Sequence, residues 1–273
     1  SVGGADQPRY GRVSLRQDQD HWLAEISQLP LVHQPGERLT YSQATDVLGI
    51  AISRIEGKPL HTVLAERIFE PPLGMSDTGF FISPDKRARA ATMYRLDPPE
   101  SGLQHDAMGP IPVTEPRFCQ GGAGLVTTVD DYLRFARMLL GGGDVDGVRV
   151  LSPESVESMR TDRLTAEQKQ FPFLGLPFWV GRGFGLNLSV VTDPAKSGGQ
   201  LYGPGGLGTF SWPGAYGTWW QADPANDLIL IYLIQNYPNM SAPAEAVAGN
   251  TSLAKLQSVQ PKFVRRTYGA LGL

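Results

Sequence analysis

The sequence predicts an α+β fold in which helices come first along the chain and an antiparallel sheet follows. Segments with helical spacing of apolar residues, closed by proline or glycine, are concentrated between residues 20 and 170. Residues 171–273 contain an aromatic stretch with alternating side chains and a continuous apolar run, both typical of strands. We therefore expect one domain with a helical lobe over roughly 20–170 and a sheet lobe over roughly 171–273.

The helical segments have recognisable starts and stops. Trp22, Leu23 and Ile26 share one helical face, and Pro30 closes that segment. Caps, first-turn acids and terminal glycines mark the remaining helices. The predicted helices are 20–28, a helix from Ser42 to Ile55, 60–69, a helix from Thr128 ending at Gly141, a helix starting at Ser152, and 244–257.

Residues 205–220, reading GGLGTFSWPGAYGTWW, predict a half-buried strand, because aromatic and small residues alternate along them. Pro213 lies in the middle, and a proline belongs on an edge strand or at a bulge. After a turn at 223–226, the apolar run Leu228 to Leu233 indicates a buried neighbouring strand. We expect an antiparallel hairpin whose outer strand faces a pocket. The segment 173–190 is expected to form a strand and its return.

Composition and motifs exclude several functional classes. The net charge of -3, without any basic cluster, argues against nucleic acid as a partner. A single cysteine and four scattered histidines give no metal-ligand spacing, so no metal is expected. No apolar run is long enough to span a bilayer. Nucleotide-binding glycine motifs and the GxSxG turn of α/β-hydrolases are absent, and no cofactor is expected.

Three features could carry chemistry. Tyr41 immediately precedes a predicted helix. Gly121 and Gly122 lie in a glycine-rich loop, and Trp212-Pro213-Gly214 lies on the aromatic strand. A phenol acts as a general base only where a nearby cation lowers its pKa. The residue type alone therefore favours a packing role for Tyr41.

Residues 35–81, 121–156 and 208–236 together resemble the serine β-lactamase-related hydrolases, in family order. The strongest resemblance is to the family VIII carboxylesterases, which are similar to class C β-lactamases. It implies a β-lactamase/transpeptidase-like fold, with an antiparallel sheet flanked by helices and a helical lobe. It covers well over a third of the chain.

In that family, three motifs meet in a cleft between the helical lobe and the sheet lobe. An SxxK motif supplies the nucleophilic serine, a Tyr-x-Asn motif the base, and a Lys-Thr-Gly or Trp-x-Gly strand borders the substrate. Tyr41-Ser42-Gln43 is similar to the second motif, with Gln43 in place of the asparagine. Trp212-Pro213-Gly214 is similar to the third in its esterase form. No Lys-Thr-Gly cation is present, which weakens a β-lactam interpretation, because the antibiotic carboxylate would lose its usual partner.

The resemblance also assigns individual roles. Tyr41 would move the proton, and the N–H of Ala215 would donate to the oxyanion. The substrate would contact Trp212, Gly214, Tyr216, Gln43, Gly121 and Gly122.

The nucleophile is not found where the family has it. SxxK precedes the tyrosine motif, and no such sequence lies before Tyr41. Ser83-to-Lys86 and Ser252-to-Lys255 fit the pattern but follow Tyr41, and short motifs of this kind arise by accident. We expect the serine and lysine in a segment preceding Ser1, from the same gene or from another chain.

The sequence thus predicts a serine hydrolase acting on small carboxylic esters, or on amides, through an acyl-enzyme. A β-lactamase, D-amino-peptidase or acyltransferase variant of the same site is the nearest alternative. A member that has lost catalysis and binds a ligand or partner is the alternative of a different class. The location, cytoplasmic or periplasmic, stays open.

Overall fold

The computed structural model describes residues 13, 17–41, 43–96, 102–105, 111–173, 176–199, 202–237 and 251–273. These residues belong to two compact units, and each unit is described by itself below. The first unit is drawn from Ser1–Ala88 and Ile111–Asp131, and the second from Arg89–Pro110 and Tyr132–Leu273.

The first unit is built from short helices. Asp18 begins the first of them by accepting hydrogen bonds from the N–H groups of Asp20 and His21. Gly57 ends the second with φ of 63°, a left-handed conformation that glycine adopts at little cost. The helices are α1 Gln19–Ile26, α2 Ala44–Glu56, α3 Leu60–Leu64 with wider turns over Ala65–Leu73, and a 3₁₀ segment Pro84–Arg89 that extends one residue beyond the unit.

Two small apolar clusters hold this unit together. Trp22 of α1 packs with Ile50 of α2 and with Phe118. In the second cluster, Leu60 packs with Phe80 and Cys119. The apolar face predicted for the first helix is therefore confirmed, and Trp22 is fully buried on it.

The second unit contains the main sheet. Its helices are α4 Val129–Leu140, whose first three residues belong to the first unit, α5 Pro153–Arg160, α6 Pro194–Ser197 and α7 Thr251–Leu271. The strands between Arg182 and Tyr232 form a five-stranded antiparallel sheet in sequence order. The strands are β1 Tyr94–Arg95, β2 Gln104–His105, β3 Asp144–Val145, β4 Val148–Arg149, β5 Arg182–Phe184, β6 Ser189–Val191, β7 Phe210–Pro213, β8 Trp219–Asp223, β9 Leu228–Tyr232 and β10 Asn236–Tyr237.

Helices cover both faces of the five-stranded sheet. Trp219 and Leu230 lie on one face and pack with Val264 and Tyr268 of α7. Trp220 lies on the opposite face, where its ring is 5.5 Å from that of Tyr132 in α4. The predicted α+β class, with an antiparallel sheet flanked by helices, is confirmed.

The prediction that the aromatic stretch is one edge strand is wrong. The stretch folds into two strands, and β7 lies between β6 and β8 rather than at the edge. Pro213 is tolerated because β6 pairs only with Phe210 and Ser211, so the strand extends beyond its neighbour where the proline occurs. Gly214 donates its N–H toward β8, so the adjacent nitrogen of Pro213 faces the side without a partner strand.

Three further boundaries differ from the sequence predictions. The Leu228 run forms the end strand of the sheet, and Leu230 is the buried residue in it, whereas the other residues of the strand are half-buried. In the segment 173–190, Phe173 forms only an isolated bridge with Leu176. The expected strand and its return begin later in the segment, as β5 and β6. The last helix continues to Leu271 because Leu253, Val264 and Tyr268 anchor it, despite its internal proline. The predicted start at 244 lies outside the described residues.

A buried hydrogen-bond network joins α7 to the sheet through Asp223. The Asp223 carboxylate accepts from the Tyr268 hydroxyl at 2.5 Å, from the N–H of Gly206 at 2.8 Å and from Asn226 Nδ2 at 2.8 Å. The Gln221 side chain donates to the same Tyr268 oxygen at 2.9 Å. Burial alone would raise the pKa of Asp223, but these donors outweigh it and lower the pKa below its ordinary value.

Replacing Asp223 with Asn is expected to lower the free energy of unfolding at pH 7 by about 2–4 kcal/mol, because several charge-assisted hydrogen bonds are lost. A lowered folded-state pKa means that the stabilisation is present above the ordinary value of 3.8 and is lost as the pH falls through the folded-state value. The difference between the natural protein and the variant should therefore shrink under acid. Urea unfolding between pH 3 and pH 7 measures it, with the exposed neighbour Asp227→Asn as control. A difference that stays constant with pH would contradict this account.

None of the helices within the described ranges is long and apolar enough to cross a membrane.

Candidate active site

Tyr41 lies in irregular chain just before α2, with 46% of its surface exposed. The His33 side chain contacts Thr40, the residue before Tyr41. One ring nitrogen of His33 donates to the carbonyl oxygen of Gln34 at 3.0 Å, and the other lies 2.8 Å from the Thr40 hydroxyl oxygen. Gln43 occupies the position before α2, and its carbonyl accepts the first hydrogen bonds of the helix. Ser42 lies outside the described residues.

The glycine pair Gly121-Gly122 packs against the first turn of α2. The N–H of Gly122 donates to a carboxylate oxygen of Asp46 at 3.0 Å. A Cβ atom on Gly121 would lie 2.0 Å from the carbonyl oxygen of Thr45, so only glycine allows this approach. The structure thus places the glycine pair against the helix that follows Tyr41. The contact of Gly121 and Gly122 with substrate stays a prediction.

Asp46 is a buried acid that the sequence reasoning missed. Only 6% of its surface is exposed, and burial raises its pKa, although the N–H of Gly122 acts in the opposite direction. The available signal was its position in the first turn of the predicted helix, three residues after Gln43. Asp46 links the Tyr41 motif to the glycine pair.

In the second unit, the turn between β7 and β8 holds Gly214, Ala215 and Tyr216. The N–H of Gly214 donates to the Thr218 carbonyl at 2.9 Å, and the N–H of Gly217 donates to the Gly214 carbonyl at 3.0 Å. Gly217 has φ of 81°, which a turn residue achieves most easily as glycine. A Cβ atom on Gly214 would lie 1.8 Å from the Thr218 hydroxyl oxygen. The turn therefore depends on both glycines.

The N–H of Ala215 is an available donor at this turn. Within the described part of the chain it donates to no backbone or side-chain acceptor, and Ala215 is exposed. The following carbonyl, that of Tyr216, accepts from the N–H of Asn236 at 3.0 Å, which fixes the turn on one side. A fixed N–H that meets no protein acceptor is the type of group that stabilises a developing negative charge.

Trp212 packs in an aromatic cluster. Its ring centre lies 5.5 Å from that of Phe173, 6.0 Å from that of Phe178 and 5.3 Å from that of Phe184. Such tilted and edge-on contacts anchor the strand immediately before Gly214. Contact of the indole with substrate stays a prediction.

The structure thus collects the predicted residues into two groups, one in each unit. Tyr41, Gln43, Gly121 and Gly122 belong to the group around the start of α2. Trp212, Gly214, Ala215 and Tyr216 belong to the group around the β7–β8 turn.

The SxxK-like sequences within the chain have structural roles. Lys86 binds Asp77 at 2.7 Å and the Ser76 carbonyl at 2.8 Å, so its ammonium group serves that loop. Ser252 and Lys255 belong to the α7 helix, whose buried residues pack on the sheet. These arrangements favour the interpretation of both motifs as accidental.

Cys119 is also unsuited to act as a nucleophile. Burial and the nearby Glu115 raise the pKa of its thiol to about 11, so the thiol is protonated at neutral pH. His61 Nδ1 lies 3.9 Å from the sulfur and 3.3 Å from a Glu115 oxygen, so the same nitrogen faces both groups. Among the described residues, no group of three or more His, Cys, Asp or Glu could hold a metal ion.

A family profile described as Beta-lactamase matches residues 1–251. The chain belongs to the β-lactamase family. The resemblance drawn from the three sequence runs is confirmed, and so is the β-lactamase-like fold.

The chain is similar to named proteins and to solved structures. Protein Rv1367c of Mycobacterium tuberculosis is 67% identical over 100% of this chain and 68% of its own length. Esterase EstB of Burkholderia gladioli is 31% identical over 85% of this chain and 58% of its own length. The solved structure of EstCE1, a hydrolase with promiscuous acyltransferase activity, aligns with a TM-score of 0.69 at 23% identity, over 95% of this chain and 66% of that one. The chain thus spans about six tenths to two thirds of these relatives.

Proposed function

We propose that this chain is part of a serine hydrolase that cleaves carboxylic esters through an acyl-enzyme. The observation that carries the proposal is the Ala215 N–H, a fixed and exposed donor that meets no protein acceptor within the described residues. The esterase relative at 31% identity supports the reaction class. The absence of a Lys-Thr-Gly cation favours esters over β-lactams as substrates.

The proposed reaction has two halves. A serine hydroxyl attacks the ester carbonyl carbon and gives its proton to the base, and the tetrahedral intermediate then expels the alcohol, which leaves with that proton. Water attacks the resulting acyl-serine in the same way and releases the carboxylic acid. Negative charge grows on the carbonyl oxygen in both halves, and the Ala215 N–H is proposed to stabilise it.

Tyr41 is the proposed base, in concert with the lysine of the SxxK motif. A phenol needs a neighbouring cation to work near neutral pH, and that lysine would supply it. The exposure of Tyr41 supports a role other than packing. Gln43, in place of the family's asparagine, would bind substrate through its amide.

The nucleophile is proposed to lie outside the 273 residues. The motif order of the family requires SxxK before Tyr41, and the candidates that follow Tyr41 have structural roles. The protein expressed from its natural gene should therefore contain the nucleophilic serine, whereas the 273-residue chain should lack it.

Labelling with a fluorophosphonate probe, followed by peptide mapping, tests this proposal. The natural gene product should be labelled at a serine of an SxxK sequence. A sample that is heat-denatured before the probe is added should take no label. Labelling at Ser83 or Ser252 would contradict the proposed position of the nucleophile. A folded gene product that takes no label would instead favour a member that binds a ligand without catalysis.

A further inference from the structure

A cavity of about 350 Å³ lies in the first unit, at the end of α2 that is far from Tyr41. Its walls come from the last turn of α2, from Gln19 at the start of α1 and from residues 115–119. Tyr41 precedes α2, whereas Ser53 and Arg54 lie near its end, so roughly 15 Å of helix separates the two places. We call this the α2-end cavity. Its volume is typical of a site for a small molecule.

The α2-end cavity is lined by cations with unused hydrogen-bond donors. The Arg117 guanidinium is exposed and makes no hydrogen bond or ion pair with any of the described residues. Arg54 donates one N–H to Asp20 at 2.9 Å, and its other side-chain donors meet no acceptor in the described ranges. Lys58 pairs with Glu66 at 2.7 Å. Two guanidinium groups therefore retain donors for a ligand, and Arg117 retains all of its own.

Two uncharged polar side chains of the lining also lack protein partners. The Gln19 amide makes no side-chain hydrogen bond within the described part of the chain. Ser53 lines the cavity although only 6% of its surface is exposed, and its hydroxyl meets no hydrogen-bond partner among the described residues. A buried hydroxyl without a partner costs free energy. An occupant that supplies the missing partner is therefore favoured.

The balance of charge and apolar surface indicates the chemistry of this occupant. Among the described lining residues there are three cations and one carboxylate, that of Glu115, so the cavity favours an anion. Pro59, Leu60 and Pro116 add apolar wall, which suits an organic group. A phosphate monoester has three terminal oxygens and up to two negative charges. It therefore engages guanidinium, hydroxyl and amide donors together, whereas a carboxylate offers only two oxygens.

We propose that the α2-end cavity binds a small organic phosphate monoester. Its phosphate group binds Arg117, Arg54 and Ser53, and its organic group packs against Pro59 and Pro116. The ligand is bound and released unchanged. The site lies apart from the residues proposed for ester cleavage, so it does not depend on the esterase proposal.

Calorimetric titration with phenyl phosphate tests the cavity in the protein expressed from its natural gene. Inorganic phosphate should bind about tenfold more weakly than phenyl phosphate, because it buries no apolar surface. Arg117→Gln should weaken the binding of phenyl phosphate about tenfold, because a charge-assisted contact is lost. Arg117→Lys should fall between, since lysine keeps the charge but not the planar fork. Arg87→Gln is the matched control, because Arg87 is exposed in the same unit and does not line the cavity, and it should change the affinity less than twofold.

Several outcomes would overturn the proposed site. They are no binding of phenyl phosphate to the folded natural protein at millimolar concentration, and equal affinities in Arg117→Gln and Arg87→Gln. Equal affinity for phenyl phosphate and inorganic phosphate would overturn the assignment of an ester. Tyr41→Phe should bind phenyl phosphate like the natural protein, and a loss of binding there would place the ligand at the catalytic residues instead. A protein that binds phenyl phosphate as expected but cleaves no carboxylic ester would retain this site and lose only the esterase proposal.

Discussion

Replacing Tyr41 with Phe is expected to lower kcat for ester hydrolysis by about 10²–10⁴-fold, the usual contribution of a positioned general acid-base group. The change removes one hydroxyl from a side chain that is 46% exposed at the entrance to α2, so the fold should be unaffected. Steady-state kinetics with a 4-nitrophenyl ester, on the protein expressed from its natural gene, measures the loss. KM should change little, because the hydroxyl is proposed to act on the proton rather than on ground-state binding.

Tyr232→Phe is the matched control for this experiment. Tyr232 lies on β9, where its ring stacks on Phe263 at 5.2 Å, and it has no proposed role in catalysis. Its variant should keep near-natural kcat. Full activity in Tyr41→Phe would assign Tyr41 to packing and would leave the proposed mechanism without its base.

Replacing Gly214 with Ala is expected to reduce kcat by about 10²-fold, close to the loss that follows removal of one oxyanion donor. The added Cβ would lie 1.8 Å from the Thr218 hydroxyl oxygen and 3.2 Å from the Thr218 Cβ, so the turn must shift and take the Ala215 N–H with it. Gly214 is not among the described residues with positive φ, so the effect is steric rather than conformational. The same kinetic assay measures it.

A second substitution should rescue much of this loss. Thr218→Ala removes the oxygen that the new Cβ meets, and the double variant should therefore regain activity relative to Gly214→Ala alone. Gly199→Ala is the control, because a Cβ atom added to Gly199 would meet no neighbouring atom within 4 Å. A Gly214→Ala variant that folds and keeps full activity would refute the proposed role of the Ala215 donor.

Some features of the fold followed from local patterns. The spacing of Trp22 and Ile26 predicted the buried face of α1, and Ser152 with Pro153 predicted the start of α5, where the serine side chain accepts from the N–H of Ser155. The turn at 223–226 was predicted from its residue types and joins β8 to β9. Such signals depend on residues near one another in the chain, so a sequence contains them directly.

Other features depend on partners distant in sequence. Pro213 suggested an edge strand, but β6 pairs with the other side of β7 and places it inside the sheet, and that pairing ends before the proline. The last helix was predicted to end at 257, but it continues through Pro261, because the contacts of Val264 and Tyr268 with the sheet outweigh the lost hydrogen bond. The position of Asp46 in the first turn of α2 could be read from the sequence, but its contact with Gly122, 76 residues later, could not.

The sequence by itself determined the α+β class, the family and the motifs at Tyr41 and Trp212-Pro213-Gly214, because these are carried by residue types at short spacings. Only the tertiary structure decided that Gly121 packs on Thr45, that the Ala215 N–H meets no protein acceptor within the described residues, and that Trp212 packs against Phe173, Phe178 and Phe184. The physical reason is that hydrogen bonding, burial and ring stacking depend on which distant segments meet. A local pattern specifies an element but not the neighbours against which it packs.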